Sequence, residues 1–272
     1  MKTESLSLAD YAGQHVVVKV GGAAMADAGF LRHVGASVAS LVEVGAFPVL
    51  VHGGGPDINA LSETLGIRPR FVKGRRVTDE ATMEAVQLVL CGKTNKQVVA
   101  ALARAGVDAV GLSGLDGDLL LATPVDPELG LVGLVSEVNV PFLHLLLHNG
   151  YVPVLAPVSR GLDGRTYNVN ADEAAASVAQ ALAAKGFVLL TDVDGLYANH
   201  PDPASLVRRV TTHEAERFVL EGRASAGMAP KVSACVQAAD GGVAVVVMAN
   251  GNGARAVERA LCGDSGTRVV KE

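Results

Sequence analysis

The sequence predicts an α/β fold, a parallel sheet covered by helices. Short β-branched runs alternate with longer Ala- and Leu-rich stretches, the pattern of strands joined by crossover helices. The runs carry almost no charge, as strands buried on both faces do. With 272 residues, 49% of them hydrophobic, and no Pro-, Ser- or Gly-rich linker, the chain can bury a substantial core. It reads as one large domain or two closely packed lobes.

Strands are expected at HVVVKV (15–20), AFPVLVH (46–52), DAVGLS (108–113), YVPVLAP (151–157), GFVLLT (186–191) and VAVVVM (243–248). Each is an apolar or β-branched run of strand length. Helices are expected near 29–44, 56–65, 79–90, 94–105, 139–149, 172–184, 212–221, 230–240 and 253–262. Pro56 suits a first helical turn, while Thr78 or Asp79, and further on Asn170, suit N-caps. Residues 114–137, rich in Gly, Asp and Pro, read as hairpins inserted on the sheet.

Several function classes drop out. The opening MKTESLSLADYAGQ alternates too quickly for a signal peptide, and no run approaches the roughly 18 apolar residues of a membrane span. A cytoplasmic location and no membrane partner are expected. A net charge of −5 without a long basic run argues against nucleic acid as a partner. Cys91, Cys235 and Cys262 are odd in number and far apart, so reduced packing residues are expected rather than disulfides or a zinc site. His144 and His148 have zinc spacing, but Leu145 stands where H-E-x-x-H requires Glu, which leaves a packed pair. No metal ligand is predicted.

Chemistry-bearing residues fall at the carboxyl ends of the predicted strands, where open α/β sheets bind ligands. In VVVKVGGAAM, Lys19 interrupts an apolar strand. It either meets an anion in a cleft or snorkels from an edge strand. In VLVHGGGPDIN, Ile58 stands where G-x-G-x-x-G needs its last glycine, so a dinucleotide loop is disfavoured. The glycines still offer unobstructed N–H groups to an anion at a helix start. His52 beside them either touches substrate or holds the loop. VKGRRVTDEATM carries Arg75 and Arg76, a residue type suited to forked binding of a carboxylate. YNVNADEAAA places Asn168 and Asn170 on one side of a strand end, and Asp172 at a helix start that favours a carboxylate. TDVDGLY is a turn able to cradle a nucleotide, or ordinary turn chemistry. Lys231 in GMAPK lies in the first turn of a helix, the unfavourable end for a cation, which implies a nearby anion.

In this order and spacing, K-V-G-G, H-G-G-G-P, G-x-R-V-T, N-V-N-A-D, T-D-V-D-G and G-M-x-P-K resemble the amino acid kinase family over residues 16–270, and within it the members that phosphorylate N-acetylglutamate. The resemblance implies a three-layer αβα sandwich with a mainly parallel central sheet of about eight strands. It implies an acyl-substrate and dimer lobe over 1–185 and an ATP lobe over 186–272. The implied reaction is ATP-dependent phosphorylation of the side-chain carboxylate of N-acetyl-L-glutamate in arginine biosynthesis, with Mg²⁺ held mainly by phosphates. By resemblance, Lys19 bridges the β and γ phosphates, Lys231 stabilises the leaving oxygen and Asp172 orients both. Gly22, Gly54 and Gly55 face the phosphoryl group. Arg76, Asn168 and Asn170 belong to the substrate site, together with Gly54 and Gly55. Asp192, Val193, Asp194, Gly195, Leu196 and Tyr197, with Arg223, Ala224 and Ser225, surround the nucleotide.

In GLSGLDG, Leu115 departs from the family's common Lys. It resembles kinases acting on aminoadipate attached to an acidic carrier protein in lysine biosynthesis, and carrier-linked or N-acetylated 2-aminoadipate stays open as an alternative substrate. From another class, a catalytically silent nucleotide or amino-acid sensor stays open too. The short stretch before Lys19 implies a homodimer without the longer N-terminal helix that links dimers into hexamers in arginine-inhibited relatives.

Overall fold

A computed structural model describes residues 6–21, 25, 27–72, 74–199, 202–224 and 227–272. Among them, eight strands form one sheet in the order Arg209–Thr211, Thr267–Val270, Val245–Asn250, Gly186–Thr191, His15–Val20, Phe47–His52, Val152–Ala156 and Ala109–Ser113. Neighbours run parallel except Val245–Asn250 against Thr267–Val270. The strand carrying Lys19 therefore lies inside the sheet, so its side chain is not that of an edge lysine.

Alternate residues along each central strand enter different cores, as a period of two demands. Val17, Val49, Val51, Leu155 and Leu189 face helices Ala171–Ala181 and Ala229–Asp240. Val16, Val18, Val20, Leu50 and Val188 face helices Ala28–Glu43, Asn95–Arg104 and Ala256–Cys262. This is the expected three-layer sandwich.

Four departures have physical reasons. The run expected at 243–248 pairs as Val245–Asn250, because the Val243 N–H closes the preceding helix on Ala238 O. The 79–90 and 94–105 helices are joined without a break by a π-helical segment, Leu88–Thr94, a widened turn common at functional sites. The hairpin expected within 114–137 forms as Leu120–Pro124 against Val132–Val138. It is completed into a small closed barrel by Val158–Gly161 and Thr166–Val169, whose sequences VSRG and TYNV carry too much polarity to announce strands. Strands Arg209–Thr211 and Thr267–Val270 are likewise short and charged.

His144 stacks on His15 at 5.0 Å and meets His148 edge-on, a packed cluster at the strand starts. The cysteines are free thiols, with Cys235 buried and the other two half-buried. Among the described residues, no helix is long and apolar enough to cross a membrane.

Candidate active site

The sheet delivers Lys19 to the carboxyl end of its strand with a side chain only 5% exposed. Its Nζ lies 2.8 Å from Asp172 Oδ1, and Lys231 Nζ lies 3.4 Å from Oδ2. Asp172 is placed by its helix start, where Asn170 Oδ1 accepts the N–H groups of Asp172 at 2.8 Å and Glu173 at 3.4 Å. Burial pushes the Asp172 carboxyl up, but the two ammonium groups outweigh it and hold it below the ordinary carboxylate range. Two cations around one anion leave a net positive charge in a desolvated crevice, which favours an incoming anion.

Gly53 N donates to Val20 O at 3.0 Å, so the glycine loop lies beside the end of the Lys19 strand. Gly54 caps helix Gly55–Thr64 in extended backbone. A Cβ on Gly54 would lie 2.7 Å from Leu90 Cδ2 and 3.1 Å from Thr94 Oγ1, so a side chain here would have to displace the buried Leu90 of the π segment. His52 is fully buried, and burial pushes its pKa down to about 4. Its Nε2 meets Asn95 Nδ2 at 3.1 Å, and its Nδ1 meets Gly53 O at 3.1 Å. The Asn95 amide nitrogen can only donate, so Nε2 is the acceptor and Nδ1–H donates to Gly53 O. His52 holds the loop from behind.

A cavity of about 270 Å³ joins Lys19, Lys231, the Gly53, Gly54 and Gly55 backbone, Arg76, Asn168 and Asn170. The two arginines of the GRRVT stretch part company. Arg75 forks Glu173 at 3.0 and 2.6 Å. Arg76 donates Nη2 to Asn59 Oδ1 and lies 4.8 Å over the Phe71 ring, while its buried Nη1 has no hydrogen-bond partner among the described residues. Asn168 Nδ2 donates to Thr78 Oγ1 at 3.2 Å, and the N-cap of the next helix is Asp79 rather than Thr78. Asn170 lines the cavity with its amide oxygen committed to the helix cap.

The segment Asp192 to Tyr197 stands at the end of the neighbouring strand, outside the Lys19 cavity. Asp194 accepts from Asn250 at 2.9 Å and from Tyr197 at 3.0 Å. Gly195 sits at φ +155°, where a Cβ would strike Thr267 Oγ1, and the Leu196 N–H donates to that hydroxyl at 2.8 Å. These contacts shape the turn around Val193. The Arg223 guanidinium packs 3.9 Å from the Phe218 ring, and both the Arg223 and Ala224 N–H groups close on Phe218 O. Gly22 and Ser225 lie outside the described residues. Met228 is half-buried against the core.

Sequence reasoning missed Asn59, Asn95 and Glu173. Glu173 has a local signal, as the third residue after an Asn cap, but that signal predicts a bond back to the cap rather than a partner 98 positions away. Asn59 and Asn95 have none.

The model of the amino acid kinase family matches residues 14–250. Acetylglutamate kinase of Thermoanaerobacter pseudethanolicus is 46% identical over 235 residues, covering 86% of this chain and 79% of that protein. Acetylglutamate kinase of Syntrophomonas wolfei is 44% identical over 267 residues, covering 97% and 93%. Among solved structures, N-acetylglutamate synthase from Neisseria gonorrhoeae, complexed with coenzyme A and N-acetyl-glutamate, superposes with a TM-score of 0.83 at 28% identity. That match covers 97% of this chain, which spans 61% of the synthase chain. Carbamate kinase from Giardia lamblia bound to AMP-PNP superposes with a TM-score of 0.73 at 19% identity, over 96% of this chain and all of that one, a likeness of fold. With the family pattern running through nearly the whole sheet and the crevice at its strand ends, the chain belongs to the amino acid kinase family.

Proposed function

We propose that this chain transfers the γ-phosphoryl group of ATP to the side-chain carboxylate of N-acetyl-L-glutamate, giving N-acetyl-L-glutamyl 5-phosphate for arginine biosynthesis. The observation that carries this reading is Asp172 with an ammonium on each oxygen, in a glycine-walled cavity that the Arg76 side chain also lines. The relatives named acetylglutamate kinase support the substrate.

An acceptor carboxylate is ionised at neutral pH, so no general base is required. The barrier lies in bringing two anions together and spreading charge off the group in transit. Lys19 spans the β and γ phosphates, Lys231 meets the leaving oxygen, and Asp172 keeps both ammonium groups aimed. The N–H groups of Gly22, Gly54 and Gly55 grip the phosphoryl group. Arg76 meets the α-carboxylate with its guanidinium, while Asn168 and Asn170 border the acetamido end. Asp192 to Tyr197 and Arg223 to Ser225 border the nucleotide. Both Asp172 oxygens are engaged by lysines, and among the described residues no three acidic, His or Cys side chains converge. Such a donor set fits Mg²⁺ carried by the ATP phosphates and water, where it would neutralise phosphate charge.

In this reading residues 1–185 serve the acyl substrate and the dimer contact, residues 186–272 serve ATP, and the enzyme works as a cytoplasmic homodimer. Leu115, the residue that favours the carrier-linked aminoadipate alternative, packs against the core and is absent from the cavity lining.

Hydroxylamine trapping of acyl phosphate, with ATP and Mg²⁺, tests the proposal on N-acetylglutamate, N-acetylaminoadipate, glutamate and aspartate in parallel. Trapped product from N-acetylglutamate is expected. Binding of ATP and N-acetylglutamate without turnover would make the chain a sensor, and product only from an aminoadipate substrate would transfer it to lysine biosynthesis.

A further inference from the structure

Arg75 and Glu173 are not part of the phosphoryl-transfer machinery described above, yet Arg75 lines the same cavity. Arg75 sits on the short ribbon Phe71–Val72 and Arg75–Arg76, paired antiparallel so that Arg76 lies opposite Phe71. Glu173 follows Asp172 directly on helix Ala171–Ala181. Two parallel N–H···O bonds of 3.0 and 2.6 Å join them, with side chains 23% and 19% exposed. A fork of this kind fixes orientation as well as distance. A ribbon of two residue pairs, extended by one bond from Val77 N–H to Arg70 O, has little cohesion of its own, since an isolated hairpin is marginal even at greater length. Its outer face offers little packing, because Phe71 and Val72 are both exposed. Glu173 also occupies the position from which a glutamate ordinarily bonds back to the helix cap, and here its carboxylate reaches the ribbon instead.

We propose that the Arg75–Glu173 fork is a latch that sets where Arg76 stands relative to Asp172, and so determines the affinity for the acyl substrate. Arg75 and Glu173 are positioning residues. The fork ties the residue before Arg76 to the residue after Asp172, so the substrate-facing guanidinium and the lysine-holding carboxylate share one short mechanical link. It also neutralises Arg75, leaving Arg76 as the arginine in this cavity without a carboxylate partner. The latch rests on the proposed carboxylate-kinase reading for its kinetic consequence. Its structural consequence is independent of substrate.

Two measurements separate these. Hydrogen–deuterium exchange of the ribbon amides at Val72, Arg75 and Val77, in Arg75→Ala and Glu173→Gln, is expected to quicken about tenfold, while amides of helix Ala171–Ala181 beyond its first turn keep their rates. Steady-state kinetics with N-acetylglutamate varied at saturating ATP is expected to show KM raised about five- to tenfold in each variant, with kcat and the KM for ATP changed less than about twofold. The swapped double variant, Arg75→Glu with Glu173→Arg, should recover most of the wild-type KM. Unchanged exchange in both single variants overturns the latch whatever the substrate proves to be. Faster exchange with unchanged KM overturns its role in affinity. A wild-type enzyme that fails to phosphorylate N-acetylglutamate sinks the functional reading, while the exchange result still decides the latch.

Discussion

A methyl group on Gly21 would lie 2.5 Å from Lys19 Nζ and 3.0 Å from Cε. Gly21 is not in the left-handed region, so alanine strains no backbone there, and the atoms it meets are the end of a flexible side chain. The ammonium would yield and leave Asp172. Because misplacing a charge in a desolvated site costs far more in rate than in fold, Gly21→Ala is expected to lower kcat about tenfold or more. Its melting temperature should stay within about 2 °C, a small shift on the scale of a single-residue effect. Paired melting and turnover measurements check this, and full activity would show that Lys19 does not need its present position. At this scale the sequence is informative about which residue types carry charge and silent about their partners. Lys19 and Lys231 stand out because each violates a local rule of burial or dipole, whereas Asp172 obeys the dipole rule and is marked only by the asparagines beside it. Arg75 and Arg76 violate none, and only the G-x-R-V-T motif separates them in the sequence; that Arg75 spends its guanidinium on Glu173 while Arg76 bonds Asn59 is seen only in the fold.

The glycine loop is held by elements distant in sequence. His52 braces Gly53 in front and takes a hydrogen bond from Asn95, which begins the helix immediately after the π segment. The extra residue in that widened turn leaves no trace in an apolar pattern that simply continues, so the brace could not be read from composition or spacing. Its consequence is a pH dependence. The folded pKa of about 4 lies below the ordinary value of 6.5, so between those pH values the unfolded chain binds the more protons. Stability is fully present above about 6.5 and falls as pH drops toward 4. From pH 7 to pH 5 this one group should remove about 2 kcal/mol, by the linkage relation. His52→Gln keeps a donor for Gly53 and an acceptor for Asn95 without a titrating ring. Urea unfolding of both proteins at the two pH values should show a smaller loss in the variant; equal losses would place the acid sensitivity elsewhere.

Across the molecule, the site is assembled where segments from opposite ends of the chain meet. The α/β class was legible because the inner strands, HVVVKV and GFVLLT above all, are apolar on both faces. The rim was not, since VSRG, TYNV and the outer strands mix charge with short length. Lys19 comes from the first strand of the sheet and Lys231 from helix Ala229–Asp240, and both lean on one carboxylate. Ligands that draw on both lysines should bind interdependently. A non-hydrolysable ATP analogue with N-acetylglutamate is expected to raise the melting temperature by more than the sum of the two separate shifts. Strictly additive shifts would mean that the two ligands do not communicate through Asp172.

The strand order also sets a schedule for synthesis. His15–Val20 is flanked by Phe47–His52 on one side and Gly186–Thr191 on the other. The first flank leaves the ribosome soon after it. The second follows only when well over a hundred further residues have been made, a delay of roughly ten to thirty seconds at ordinary elongation rates. Throughout that interval one edge of an apolar strand carrying the phosphate-facing lysine has no native partner, and such an edge is a template for wrong pairing. The strand at the heart of the enzyme is thus the part of the nascent chain with the most to gain from a chaperone.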